Sequence, residues 1–455
     1  MIFHSDARRI FVTAWLVYAA FWNPWLQSSM TWNLLDTAVS FLDSGRWSLQ
    51  YSMLYDGIDT FEVKERVLAA APPGLAALIM PVYLGWRSII GAVDTVESFN
   101  AFNGFLVFAI GAPAAAFAAV QVAWLAGWLG ASRRGQLLAS ALFALGTQNF
   151  QFGTMLFREG LAGLAVVAAF RLSVEPGGFG RRTAAGGLAG LATALVYQAA
   201  LLIPPLLILI MRREGIRQAS AFVLGCTPAV IALGGYHTWL FGQPWRTPYA
   251  VLFDFQAMGF ALPKLSVLVD LLVGPGGGLF LYAPFLVFGL HGFALAWRTG
   301  RRGETLAASV FLVCVWLVVG IYLSRFGDRA LFSAGLGPRM MFPTIPVLAA
   351  FAGFALAHLN RGSLLLVAVP SLACGYLSAQ AGFIPGSDLF PYAVKTVISG
   401  TGMGVVFKEA LPIWLGFDTL HTVVSRPDVS ARDLLYLFPT DEGVRLMRNQ
   451  AFFSD

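Results

Sequence analysis

Long apolar runs alternate with short polar turns along most of the chain. Apolar stretches cover approximately 10 to 27, 72 to 92, 101 to 129, 137 to 153, 155 to 173, 187 to 211, 219 to 241, 278 to 297, 304 to 323, 340 to 359 and 363 to 384. A hydrocarbon core about 30 Å thick takes roughly 20 apolar residues per helix, so the pattern predicts an all-α, polytopic membrane protein with about eleven transmembrane helices. The first stretch follows Arg8 and Arg9 as a signal peptide would, but ends at NPWLQSSMTW without a small-x-small cleavage site. It reads as a retained span with the N-terminus inside.

The turns carry the topology. MRREGIRQ at 211 to 218, WRTGRRGE at 297 to 304 and HLNRG at 358 to 362 are short and basic, as cytoplasmic turns are. Strict alternation of eleven spans puts two further basic turns, ASRRG at 131 to 135 and GGFGRRT at 177 to 183, on the opposite side. One assignment must therefore differ, and the topology of 72 to 211 stays open. The stretch 187 to 211 offers one way out, since Tyr197-Gln198 and Pro204-Pro205 suit two half-helices meeting at a polar apex.

Three segments are too polar to span: 28 to 71, 242 to 277 and 324 to 339. Their placement between the spans gathers them on the external face, which suggests one site. Residues 1 to 384 form the catalytic transmembrane module, with 28 to 71 as its first external loop, and 385 to 455 form a small amphipathic appendage.

Composition agrees: 57% of residues are hydrophobic and 12% charged, with a mean hydropathy of +0.70. A soluble chain carries about a quarter charged residues, so soluble enzymes, nucleic-acid modules and disordered chains are excluded. The balance of 30 Lys+Arg against 24 Asp+Glu reports topology rather than an affinity for nucleic acid. Cys226, Cys314 and Cys374 each lie in an apolar segment, with no metal-binding spacing, and the five histidines are dispersed. No metal site is expected from these residues, although a divalent ion held by carboxylates remains open.

The candidate chemistry is concentrated in the polar segments. TWNLLDTAVSFLDS has apolar residues at helical spacing and predicts a short amphipathic helix at the membrane interface. Asp36, near its start, is either a general base over a lipid-borne substrate or an ordinary first-turn helix aspartate. Asp59 and the run Glu62 to Arg66 lead into Pro72-Pro73-Gly74. Lys64 or Arg66 could bind a phosphate there, or the charges could form a solvated edge. Arg158 and Glu159 stand between two apolar stretches, where ionisable residues are costly and are functional candidates; the pair could equally mark a turn. Arg325, Asp328, Arg329 and Arg339 bring three guanidiniums to one face, either as a phosphate clamp or as surface ion pairs.

Several motifs occur in a recognisable order: SGRWSL and APPG in the first loop, GTQNFQFGTMLFREG ending at Glu159 and Gly160, FGQPWRTPY at 241 to 249, GGGLFLYAPFLV at 276 to 287, and GLGPRMMFPTIP at 335 to 346. In this the chain resembles the bacterial GT-C glycosyltransferases, integral membrane enzymes of the mannosyl- and arabinosyltransferase type. The resemblance implies a sugar taken from a polyprenyl-phosphate donor on the external face of the plasma (inner) membrane. It makes Asp36 and Asp59 rival catalytic carboxylates and Pro72, Pro73 and Gly74 the structural start of a cavity-lining helix. Arg339 becomes the phosphate candidate, with Lys64, Arg66, Arg158, Glu159 and Arg325 as further substrate-binding residues.

The function expected is therefore a hexosyl- or pentosyltransferase acting on a cell-envelope glycan, lipid or protein, with membrane lipids as surroundings and no nucleic acid. The rivals are a lipid or glycolipid flippase that needs no chemistry and an envelope glycan ligase or polymerase. A transporter is expected to show inverted repeats with paired midplane charges, and no repeat is visible in the sequence.

Overall fold

The computed structural model describes residues 4–22, 28–51, 60–63, 65–252, 262–275, 277–326 and 337–381. The expected appendage at 385 to 455 lies outside the described residues, as do Asp59, Lys64, Asp328 and Arg329. The described chain is mostly helical. In order come α1 (His4–Ala20), α2 (Ser29–Ser44), the strands β1 (Thr60–Val63) and β2 (Arg66–Ala69), α3 (Gly74–Ile89), α4 (Val96–Leu106), α5 (Ala112–Leu129), α6 (Arg133–Leu145), α7 (Gln148–Thr154), α8 (Arg158–Val174) and α9 (Phe179–Leu195). A 3₁₀ turn (Tyr197–Leu202) precedes α10 (Ile203–Glu214) and α11 (Ile216–Phe241). Then follow α12 (Pro248–Leu252), α13 (Leu265–Val273), α14 (Leu279–Tyr282), α15 (Val287–Arg298) and α16 (Arg302–Phe326). A 3₁₀ segment (Arg339–Thr344) leads into α17 (Ile345–Leu356), and α18 (Arg361–Ala381) closes the described chain.

Among the described residues, five helical stretches are long and apolar enough to cross a membrane: Ser98–Leu129, Ile216–Phe241, Arg302–Ser324, Arg339–Leu356 and Arg361–Ala379. The first runs through α4 and α5 with a π-helical turn at Val107–Gly111. Close helix packing relies on small residues, as it does where lipid replaces water as the solvent. A Cβ at Gly186 would collide with the Phe222 carbonyl, and one at Gly225 with that of Thr183, so α9 and α11 meet backbone to backbone.

Ion pairs gather the basic turns at one end of the bundle. Arg182 donates through Nε to Glu214 at 2.7 Å, and Arg213 reaches Glu304 at 2.6 Å. The Arg301 guanidinium lies 4.6 Å from the Trp128 ring centre. Arg133 makes two bonds to Asp6, at 2.9 and 2.8 Å, and Arg134 reaches the Leu359 carbonyl at 3.1 Å. These contacts join the N-terminus and the turns near 131, 180, 214, 300 and 359 into one charged layer.

That layer resolves the conflict left by strict alternation. Arg182 stands at the start of the stretch that reads as one span from 187 to 211, and its partner Glu214 stands at the end. The chain thus runs out along α9, reverses at Tyr197–Leu202 and returns along α10, as two half-helices would. The expected span at 72 to 92 also differs. α3 begins where a Cβ on Gly74 would meet the Ala194 carbonyl. Near its other end Arg87 pairs with Asp43 at 2.8 Å, while Tyr83 bonds the same carboxylate at 2.9 Å. Ala194 and α2 belong to the end remote from the basic turns, so α3 packs on that end instead of crossing.

The first loop departs from expectation in two ways. α2 is enclosed on nearly all sides rather than resting on a surface: Trp32, Leu34, Leu35, Ala38 and Val39 are buried, and so are Asn33, Asp36, Thr37 and Ser40. Its polar face is satisfied internally, with Thr31 donating to the Leu156 carbonyl at 3.0 Å and Thr37 to that of Asn33 at 2.8 Å. The loop also holds a β-hairpin in an otherwise helical protein, with Thr60 opposite Ala69 and Val63 opposite Arg66. Side chains of a strand point to alternate faces, so the paired Phe61 and Leu68 share a face and pack with Leu240 at the end of α11.

Candidate functional site

Two of the motifs singled out in the sequence meet at the end remote from the basic layer. Gln148, at the start of α7, donates through Nε2 to the Gly337 carbonyl at 2.9 Å. Gly337 has φ +121, a conformation suited to glycine, and a Cβ there would stand 3.2 Å from the Gln148 side chain. This turn delivers Arg339 onto the start of α8. Phe342 packs edge-on against Phe152 with ring centres 4.7 Å apart, and the Arg339 guanidinium lies 6.0 Å from the Phe157 ring centre.

Three charged groups result. Glu159 Oε1 lies 3.4 Å from Arg158 Nε and 3.6 Å from Arg339 Nε. Their side chains are 7%, 3% and 13% exposed for Arg158, Glu159 and Arg339 respectively. The second carboxylate oxygen of Glu159 is buried without a hydrogen bond. Among the described residues, two guanidiniums thus meet one carboxylate in a poorly solvated place, a setting suited to an anion.

A cavity of about 140 Å³ adjoins this cluster, lined by Arg158, Glu159, Tyr197, Gln198, Tyr249, Tyr322 and Met340 among others. Its walls are tied together by hydrogen bonds. Arg158 donates to the Tyr249 hydroxyl at 3.0 Å, and Gln198 donates to the Met340 carbonyl at 3.1 Å. Tyr249 packs edge-on against Tyr197 and Tyr322, at 5.9 and 6.1 Å.

His237 stands behind this wall. Its Nδ1 is 3.0 Å from the Pro244 carbonyl, which can only accept, so Nδ1 carries the proton. In the neutral ring Nε2 must then accept, and it receives the Tyr197 hydroxyl at 2.9 Å. The histidine therefore ties the Tyr197–Leu202 apex to the FGQPWRTPY loop, which also carries Tyr249.

The remaining sequence candidates are spread around this centre. Asp36 is fully buried, and its carboxylate accepts from Ser40 Oγ at 2.7 Å, from the Gln50 amide at 3.1 Å and from the Tyr51 amide at 2.9 Å. Arg66 is exposed on β2, with its guanidinium 5.4 Å from the Trp239 ring centre. Arg325 belongs to the last turn of α16. Pro73 caps α3, and Gly74 allows its close approach to Ala194 beside the Tyr197 apex. Among the described residues, no group of His, Cys, Asp and Glu is placed to hold a metal ion.

Arg158, Glu159 and Arg339 were identifiable from sequence. The aromatic wall was not, because Tyr197, Tyr249 and Tyr322 come from three separate elements. The polar pair Tyr197-Gln198 and the motif ending in Tyr249 were the available signals. His237 gave none, since one histidine in an apolar run has no distinguishing spacing.

No protein-family profile matches the chain, and no curated protein matches it either. Solved structures to which the chain is similar include two of ArnT from Cupriavidus metallidurans. With the apo form, the chain shares 14% identity at a TM-score of 0.46, with 80% of this chain and 61% of that one covered. The form bound to undecaprenyl phosphate gives 15% identity and a TM-score of 0.49, covering 94% of this chain and 79% of that one.

Proposed function

We propose that this protein is a membrane glycosyltransferase that takes a sugar from a polyprenyl-phosphate donor and passes it to an envelope glycan, lipid or protein. The observation that carries the reading is the Arg158–Glu159–Arg339 cluster: two buried arginines brought together beside an aromatic cleft, built by the same motifs that resemble the GT-C enzymes. The basic turns form one layer at the opposite end of the bundle. The positive-inside rule supports reading that layer as cytoplasmic and the cleft as lying on the external side of the plasma membrane.

The chemistry divides among the residues as follows. An acceptor hydroxyl attacks the anomeric carbon of the donor while a carboxylate takes its proton, and the bond to the phosphate oxygen breaks. Arg339 and Arg158 stabilise the charge that collects on the leaving lipid phosphate. Tyrosines of the cleft wall offer flat faces and hydroxyls to a sugar ring. Asp59 is the base in this reading. The Asp36 carboxylate already receives a side-chain hydroxyl and two backbone amides, which suits holding the loop 49 to 51 against α2. Lys64, Arg66 and Arg325 are further substrate-binding residues in this reading.

The test is sugar transfer from a radiolabelled polyprenyl-phosphate sugar by purified protein, with crude envelope as acceptor. Turnover that is lost in Asp59→Asn and in Arg339→Ala at unchanged thermal stability supports the reading. Turnover that survives both substitutions contradicts it.

A further inference from the structure

A second cavity lies at the other end of the molecule, between α1 and α6. It has a volume of about 280 Å³ and is lined by Arg9, Ile10, Thr13, Ala14 and Val17 of α1 and by Leu137, Ser140, Ala141, Ala144 and Leu145 of α6. α1 and α6 each pack against α5 and touch one another little, so an open groove remains between them.

The lining residues recur along one face of each helix, from Arg9 to Val17 and from Leu137 to Leu145. The groove therefore runs parallel to the helices for about 12 Å, at 1.5 Å per residue. One end lies at the charged layer and the other lies inside the apolar zone. Its walls are small or aliphatic, and Ser140 spends its hydroxyl on the Ala119 carbonyl at 2.8 Å. Thr13 supplies the other hydroxyl of a lining that is otherwise apolar below Arg9.

The mouth is different. Arg8 and Arg9 are both exposed there. Asp6, the carboxylate of the same helix, is already engaged by the two bonds from Arg133. Among the described residues, Arg9 has no ion-pair partner. An apolar channel about 12 Å deep that ends at uncompensated guanidinium charge in the headgroup layer matches one class of molecule, a lipid with an anionic head.

We propose that this groove is a binding site for an anionic phospholipid of the leaflet next to the charged layer, with one acyl chain between α1 and α6 and its phosphate at Arg9. The site is separate from the cleft at Arg339 and does not depend on what that cleft does. Bound there, the lipid closes the gap between two helices that otherwise make little contact.

Native mass spectrometry of the full chain, released from nanodiscs of mixed phosphatidylglycerol and phosphatidylcholine, tests the proposal. Wild type is expected to retain one phosphatidylglycerol in preference to phosphatidylcholine by about fivefold, the effect of one basic side chain near an anionic surface. Arg9→Gln is expected to abolish the preference and Arg9→Lys to keep it. Ala141→Phe, at an exposed position of the groove wall, is expected to reduce retention of both lipids. Equal retention of the two lipids by wild type, a preference unchanged in Arg9→Gln, or retention unchanged in Ala141→Phe would each overturn the assignment.

Discussion

Arg339 Nε stands 3.6 Å from Glu159 Oε1, so a buried carboxylate beside the cleft faces an arginine delivered from a distant part of the chain. Glu159 holds that arginine in place and also competes with any anionic ligand for it. Removing either partner should therefore move anion affinity in opposite directions. Arg339→Ala loses a charge-assisted bond of about 1.5–3 kcal/mol, so polyprenyl-phosphate binding should weaken roughly 10- to 100-fold. Glu159→Gln keeps the size of the side chain and removes the competing charge, so binding should tighten. Titration of both variants with a fluorescent polyprenyl phosphate checks the two signs, and a parallel loss in both would count against the phosphate assignment.

His237 sets the donor direction at Tyr197, because its Nδ1 is committed to the Pro244 carbonyl. His237→Leu removes the tie between the Tyr197 apex and the 241 to 249 loop. It should raise KM for the donor by roughly tenfold, as loss of one or two hydrogen bonds of about 1 kcal/mol each would, with a smaller effect on kcat. His237→Gln retains a donor and an acceptor and should recover part of the loss. Equal kinetics for the two variants would show that the ring fills space only.

Asp36 receives a hydroxyl and two backbone amides while fully buried. In Asp36→Asn one oxygen becomes a donor and faces groups that themselves donate, which should cost about 2–4 kcal/mol of stability. Activity per folded molecule should fall less than stability does. Asp59→Asn should do the reverse, leaving the melting temperature in detergent unchanged while abolishing turnover. Thermal denaturation and turnover measured on the same samples separate the two roles.

Two glycines of α3 provide an internal comparison. At Gly74 an added Cβ meets the backbone of Ala194, whereas at Gly85 it meets nothing within 4 Å. Gly74→Ala should lower the melting temperature because two backbones must separate. Gly85→Ala should raise it slightly, through a gain of about 0.4–1 kcal/mol in stability from helix propensity and the stiffer unfolded chain. Equal shifts would mean that α3 does not lean on the α9 end.

Much of this architecture is legible in the sequence because apolar run length reports helices directly. The 335 to 346 and 146 to 159 motifs, both visible in the sequence, meet through Gln148 and Gly337 and through Glu159 and Arg339. Hydropathy says nothing about where the ends of a run sit, which is why 72 to 92 reads as a crossing although Gly74 and Arg87 hold both of its ends on one side. The reversal at Tyr197–Leu202 is hidden for the same reason and becomes evident once Arg182 meets Glu214. The hairpin strands are four residues each, too short for their alternation to stand out beside a charged run. The aromatic wall depends on contacts between residues tens of positions apart, which no local pattern encodes.

The most direct test of the central claim is transfer of radiolabelled sugar from a polyprenyl-phosphate donor by the purified protein, measured for wild type and Arg339→Ala matched for folded fraction. The account predicts labelled product with wild type and a loss of roughly 10- to 100-fold with Arg339→Ala, in line with one charge-assisted bond. Absence of any transfer by wild type across a panel of such donors, or equal transfer by the two proteins, would contradict it.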